Sequence, residues 1–163
     1  MAEKSLLLIL GNQLFPIENI RSLNPDKVFM AEDLGLSTYE SHHKLKILMI
    51  FSAMREKRDE LISNNFDVDY TEIEDPDFNL TFEEKLKKCI KKNDIKNLNI
   101  FEIEDKAFEK RIIVFSKKYN LGLTISPSPM FLIKRDEFLE LKGSSKVVRM
   151  GNFYKNVRKK LNI

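Results

Sequence analysis

The segment SLLLILGNQL, residues 5–14, is a short, unbroken apolar run that ends at a glycine followed by two amide side chains. Such a run is typical of a β-strand buried on both faces, as the strands of parallel sheets are. The segment KVFMA, residues 27–31, repeats the signature. Parallel strands are joined by long crossover connections that usually contain a helix, so the sequence between the apolar runs is the next evidence.

Strand-like and helix-like patterns alternate along the chain. The predicted strands are residues 5–10, 27–31, 68–73, 98–103 and 123–126. The predicted helices are residues 42–64, 82–92 and 107–119, the second opened by a capping box of Thr81 and Glu84. This order predicts an α/β fold: a doubly wound, Rossmann-like five-stranded parallel sheet with helices on both faces. Its predicted core includes Leu7, Ile9, Phe29, Ile100 and Ile125.

The composition is that of a globular protein of ordinary domain size. The chain has 163 residues, of which 42% are hydrophobic and 33% charged. Its one cysteine, Cys89, excludes an internal disulfide and a multi-thiolate metal site, so a reducing, cytoplasmic location is expected. No apolar run is long enough to span a membrane, so no membrane partner is expected.

The charge is distributed unevenly. Residues 142–163 contain seven basic residues and no acidic one, whereas residues 1–141 contain 21 basic and 25 acidic residues. We therefore divide the chain into an α/β domain, residues 1–141, and a basic amphipathic helix, residues 142–163. The apolar face of that helix is predicted to comprise Met150, Phe153, Tyr154, Val157 and Leu161. Three roles stay open for it: a solvated helix face with no partner, docking on a further domain, or contact with DNA phosphates.

Ligands of doubly wound sheets bind beyond the carboxyl ends of the strands. Polar candidates at those ends are Gly11, Asn12 and Gln13 after the first strand, Glu32 after the second, Tyr39 before the long helix and His43 at its predicted start. Apolar candidates for the walls of the same cleft are Ile50, Phe51 and Met54. Apolar walls with a few polar groups are typical of small-molecule sites.

His42 and His43 are the only histidines of the chain. Adjacent helical residues point about 100° apart, whereas two metal ligands on one helix face need a spacing of three or four, so no metal site is predicted. One histidine of the pair could be packed or hydrogen-bonded, or could line a ligand site. No nucleophile elbow, dinucleotide loop or phosphate-binding loop is present, and no catalytic residue is assigned.

Four segments together resemble one family: LLLILGNQLFP (6–16), YESHHKLKILMIFSAMRE (39–56), VDYTEIEDP (68–76) and FLIKRDEF…RMGNFYKNVRKK (131–138 and 149–160). They are similar to the amino-terminal domain of the iron–sulfur bacterial cryptochrome/photolyase group, the deoxyribodipyrimidine photolyase-related proteins. The resemblance implies an antenna domain that binds 6,7-dimethyl-8-ribityllumazine. It also implies a helical carboxyl-terminal domain with FAD and a four-cysteine iron–sulfur cluster, which receives the excitation and repairs DNA, notably (6-4) photoproducts.

The chain departs from that family pattern at two positions of the implied pigment site. Leu36 stands where the family often has a glutamate that contacts the lumazine ring, and Asn12 stands where it usually has an aspartate. With one cysteine, the chain cannot hold the cluster itself. Two hypotheses follow: an antenna domain whose flavin domain is absent here or on a separate chain, not catalytic alone, or a stand-alone α/β module for a nucleotide-like small ligand.

Overall fold

The computed structural model describes residues 3–142 and 147–163, except the side chain of Leu141. The chain divides into two compact units, Met1–Ser126 and Pro127–Ile163. The boundary placed after residue 141 followed the change in charge, whereas the first compact unit ends with the last strand. In the part of the chain that is described, no helix is long and apolar enough to cross a membrane.

The first unit contains one sheet of five parallel strands, which confirms the predicted fold. The strands are β1 (Ser5–Leu8), β2 (Lys27–Ala31), β3 (Val68–Thr71), β4 (Asn97–Phe101) and β5 (Gly122–Ser126), in the order β3-β2-β1-β4-β5. β1, β3 and β4 each end two residues before the predicted position. The residues after these strands leave the sheet and form loops at its carboxyl edge.

Five helices connect the strands: α1 (Ile17–Arg21), α2 (Leu34–Thr38), α3 (Lys44–Ser63), α4 (Phe82–Asn93) and α5 (Lys106–Lys118). The three longer ones confirm the predicted helices, and the capping box of Thr81 and Glu84 is formed at the start of α4. α3 and α5 are followed by Asn65 and Asn120 in the left-handed conformation, which asparagine adopts readily. α1 and α2 were not predicted, since five residues are too few to show a helical period.

The helices cover both faces of the sheet, because successive strand residues point to opposite sides. Leu6 and Leu8 pack in one buried cluster with residues of α4 and α5. Leu7 and Ile9 pack in a second cluster with residues of α1 and α3. β1 is therefore the centre of a three-layer structure, with both of its faces buried.

Four of the five predicted core residues are buried, but the prediction for Ile125 is wrong. Leu7, Ile9, Phe29 and Ile100 are at most 1% exposed, whereas Ile125 is 38% exposed. β5 pairs with β4 alone and forms an edge of the sheet. The apolar pattern of residues 123–126 indicated a strand correctly, but it does not reveal whether the strand is central.

The described residues of the second unit form two helices, α6 (Arg135–Lys142) and α7 (Met150–Leu161). They contact each other through the rings of Phe138 and Phe153, whose centroids are 5.3 Å apart in an edge-to-face arrangement. Lys160 forms an ion pair with Glu137. Of the segment predicted as one basic helix, residues 142–163, α7 is the described helical part and begins at Met150; Lys142 ends α6, residues 147–149 are not helical, and residues 143–146 lie outside the described residues. Its apolar face is only partly covered, since Met150 and Tyr154 are 67% and 64% exposed.

Candidate ligand-binding site

The loops after the adjacent strands β1 and β4 lead to opposite faces of the sheet, to α1 and α5. Such a divergence is the point at which doubly wound folds bind ligands. Two hydrogen bonds join these loops: Asn12 Nδ2 donates to Glu104 Oε2 at 3.0 Å, and Gln13 Nε2 donates to the Glu102 carbonyl oxygen at 2.9 Å. The amides after β1 therefore hold the carboxyl edge of the sheet together.

A cavity of about 400 Å³ lies at this edge, bounded by the ends of β1, β2 and β4 and by α2, α3 and α5. Seven of the ten predicted site residues line it: Gly11, Asn12, Leu36, Tyr39, Ile50, Phe51 and Met54. The other three, Gln13, Glu32 and His43, are not among its lining residues. The sequence therefore located the cleft but assigned three side chains to it that have other contacts.

One wall of the cavity is the first half of α3. Ile47, Ile50 and Met54 recur at spacings of three and four, which places them on one helix face, and Phe51 lies beside them. This wall approaches the loop after β1 closely. A Cβ atom added at Gly11 would lie 2.9 Å from Met54 Sδ and 3.0 Å from Ile50 Cγ2. Glycine at position 11 therefore permits the contact between the loop and α3.

Two aspartates of the cavity are engaged by the protein itself. Asp33 caps α2 by accepting a hydrogen bond from the Leu36 amide at 2.9 Å, and its other oxygen lies 2.7 Å from Lys85 Nζ. Both side chains of this ion pair are almost wholly buried. Asp105 caps α5 through the amides of Ala107 and its neighbour. These carboxylates fix the helix ends that surround the cavity.

The structure separates the roles of the two histidines, and the assignment of His43 to the cleft is corrected. His43 is the N-cap of α3: its Nδ1 accepts a hydrogen bond from the Leu45 amide at 3.2 Å, and the residue is exposed. His42 lines the cavity instead, and its ring packs edge-to-face against the ring of Tyr39, with the two ring centroids 5.9 Å apart. The helix begins at Lys44, two residues later than predicted, which turns His43 into a cap.

Glu32, which was also predicted to line the cleft, does not line it. Its side chain has no exposed surface, and its carboxylate accepts hydrogen bonds from Arg55 Nε (2.6 Å) and Nη2 (2.9 Å), the Tyr70 hydroxyl (2.9 Å) and the Ile73 amide (2.8 Å). Burial raises the pKa of Glu32, but these donors outweigh it and hold the pKa below its usual value. Glu32 therefore joins β2, α3 and β3 rather than facing a ligand.

Sequence reasoning missed several lining residues, among them Asp33, Lys46, Ile47 and Asp105, and it chose His43 rather than His42 as the lining histidine. Asp33 and Asp105 each follow a strand and precede a helix, which is an N-cap signal available in the sequence. His42 and Lys46 could have been found only with the start of α3 known to the residue. Among the described residues, no group of three or more His, Cys, Asp or Glu side chains is placed to hold a metal ion.

A parallel sheet of this order, with a cavity where its connections diverge, defines a doubly wound α/β domain. The family model of the deoxyribodipyrimidine photo-lyase-related proteins matches residues 7–163, and the chain belongs to that family. This confirms the resemblance. The chain is 30% identical over 160 residues to a (6-4) photolyase of Agrobacterium fabrum (strain C58 / ATCC 33970). The match covers 95% of this chain and 31% of that relative, so the chain spans about a third of the relative's length.

Proposed function

We propose that the chain is the chromophore-binding antenna domain of a photolyase-related DNA repair protein, with 6,7-dimethyl-8-ribityllumazine as its ligand. The cavity at the carboxyl edge of the sheet carries this proposal. Its volume, about 400 Å³, falls within the range of roughly 300–1,000 Å³ that is typical of small-molecule sites. Membership of the photolyase-related family supports the same assignment. FAD, the iron–sulfur cluster and DNA repair are assigned to a catalytic part outside residues 1–163.

The cavity suits a flat, partly polar ring system. Ile47, Ile50 and Phe51 present apolar surface from α3, and Tyr39 presents an aromatic ring at an exposed position. Asn12 also lines the cavity and offers polar side-chain atoms for ring heteroatoms. Lumazine supplies light absorption when it is bound. The contribution of these side chains is to exclude water and to hold the ring in one orientation, on which energy transfer depends.

A second candidate is a stand-alone α/β module that binds another nucleotide-like small ligand. It is favoured by the side chains at positions 12 and 36, which carry no charge. Leu36 lines the cavity and packs against the buried cluster under α4 and α5, so an apolar group occupies the position from which a carboxylate would contact the lumazine ring. For this reason we expect lumazine binding by the present sequence to be weak.

The test is a fluorescence titration of the purified chain with lumazine and, separately, with flavin. Leu36→Glu is expected to tighten lumazine binding by about tenfold to a hundredfold, since a hydrogen bond to a charged group contributes about 1.5–3 kcal/mol. Leu36→Gln is the matched control, because it is similar in shape and lacks the charge. No saturable lumazine binding by either the unmodified chain or Leu36→Glu would refute the antenna assignment. Saturable binding of flavin alone would favour the second candidate.

A second pair of variants locates the binding site. Ile47→Trp places a larger side chain at a cavity-lining position and is expected to abolish ligand binding. Leu48→Trp adds the same group one residue further, at a position that is 61% exposed and outside the cavity lining, and is expected to bind normally. Equal binding by both variants would show that the ligand occupies another site.

A further inference from the structure

The first half of α3 carries apolar side chains on two opposite sides. Ile47, Ile50 and Phe51 line the cavity, whereas Leu45, Leu48 and Met49 point away from it and are 60%, 61% and 62% exposed. The three exposed residues are spaced by three and four, so they form one continuous stripe along the helix. We name these three residues the α3 stripe.

The α3 stripe differs from the other exposed apolar residues of the first unit. Ile62, near the end of the same helix, and Val114, on α5, are exposed to similar extents. Charged residues lie three and four positions before each of them on the helix: Arg58 and Asp59 before Ile62, and Lys110 and Arg111 before Val114. Single exposed apolar side chains are ordinary in globular proteins and need no explanation. Adjacent ones on successive turns mark a surface that contacts another polypeptide.

Two facts identify the kind of polypeptide. A second copy of the chain is a poor candidate, because three aliphatic side chains fall far short of the roughly 800 Å² per partner that a stable dimer buries. The (6-4) photolyase relative, by contrast, extends well beyond the matched region, which is only 31% of its length. A larger body of family polypeptide is therefore available to cover the stripe.

We propose that the α3 stripe is the surface on which the catalytic part of a photolyase of this family docks, whether that part belongs to the same gene product or to a separate chain. The inference rests on the proposed function only in that the chain works with such a part, and it does not depend on which ligand fills the cavity. The stripe and the cavity lie on opposite sides of one helix, about 10–12 Å thick with its side chains. Docking at the stripe thus brings the partner close to a bound chromophore without blocking the cavity.

The experiment is site-specific photocrosslinking in the cells that naturally make this protein, with its gene product at full length. p-Benzoylphenylalanine replaces Leu48 in one strain and Val114 in a control strain, because Val114 is 56% exposed on a helix that covers the opposite face of the sheet. After irradiation, mass spectrometry identifies the crosslinked peptides. We expect position 48, and not position 114, to crosslink to photolyase-family sequence outside residues 1–163.

Several results would overturn the inference: crosslinks from position 48 to a second copy of residues 1–163, to residues 127–163 of the same chain, to an unrelated protein, or to nothing. Met49→Lys tests the α3 stripe independently, and Val114→Lys is its control. Both substitutions are at exposed positions and are expected to leave the fold intact. In a protein that also carries the probe at position 48, Met49→Lys is expected to lower the yield of crosslinks to photolyase-family sequence by tenfold or more, on the same or on a separate polypeptide. The ligand titration of the purified Met49→Lys chain should be unchanged. The two proposals therefore fail separately: a failed titration with intact crosslinking refutes the chromophore alone.

Discussion

The buried carboxylate of Glu32 allows a specific prediction about stability. Replacing Arg55 with methionine removes two of the four hydrogen bonds that the carboxylate accepts and its one bidentate cationic partner. The side chain of Glu32 has no exposed surface, so water cannot replace the guanidinium. Leaving a buried charge without its partner costs about 3–5 kcal/mol of unfolding free energy. We therefore expect Arg55→Met to be among the most damaging single substitutions in the first unit.

Urea unfolding monitored by circular dichroism measures this loss. With a slope of about 2 kcal/mol per molar urea, typical of a protein of this size, the midpoint should fall by about 1.5–2.5 M. Glu32→Gln together with Arg55→Met should be less destabilised than the sum of the two single variants, because the double variant has no buried charge. Such a cycle separates the pairing of Glu32 and Arg55 from the contacts that Arg55 also makes with Glu72 and Glu74.

The effect of Arg55→Met on stability should also depend on pH, and the direction of that dependence can be predicted. In the unmodified chain, the folded-state pKa of Glu32 lies below the ordinary glutamate value of 4.5. The stabilisation by this group is therefore present above about pH 4.5 and is lost as the pH falls further. Without Arg55, burial becomes the dominant influence and raises the folded-state pKa above the unfolded one. The difference in unfolding free energy between the unmodified chain and Arg55→Met should therefore become smaller as the pH is lowered from 7 towards 4.5. A deficit below about 1 kcal/mol at pH 7, or one that grows on acidification, would refute this reasoning.

Two further predictions concern α4. Thr81→Ala removes the side-chain oxygen that caps the helix and should lower the unfolding free energy by about 1 kcal/mol in the same urea assay. The control Ser52→Ala, at an exposed position of α3, should change it by less than about 0.5 kcal/mol. Equal effects of the two substitutions would contradict the capping role. Cys89 is 3% exposed, and burial raises its pKa to about 12, so iodoacetamide at pH 8 should label it only when urea unfolds the chain; rapid labelling of the folded protein would contradict this.

The fold could be predicted from the sequence because it rests on local patterns. The apolar run of β1 marks a strand buried on both faces, and the capping box at Thr81 marks the start of a helix. The order of these elements then restricts the topology to a parallel sheet with covered faces. The burial of β5 could not be predicted, because an edge strand and a central strand of five residues share the same pattern.

The site was predictable only in outline. Loops at the carboxyl ends of parallel strands converge by topology, which located Gly11, Asn12 and Tyr39 correctly. The carboxylate of Glu32 accepts hydrogen bonds from residues far away in the sequence: Arg55 lies 23 residues further on, and Tyr70 and Ile73 lie 38 and 41 residues further on. No local pattern indicates pairing over such separations. A charged residue at the end of a strand can face a ligand or clamp the scaffold, and only the three-dimensional contacts distinguish the two.

The central position of β1 has a consequence for how the protein is made. β1 pairs with β2 on one side and β4 on the other, and residues 32–96 separate those two partners along the chain. At about 5–20 residues per second, the ribosome needs roughly 3–13 s to synthesise these 65 residues. During that time the edge of β1 that later pairs with β4 is unpaired and accessible to other nascent chains. Slower translation or a ribosomal pause before β4 emerges should therefore lower the folded yield, and binding of chaperones to SLLLIL should protect it.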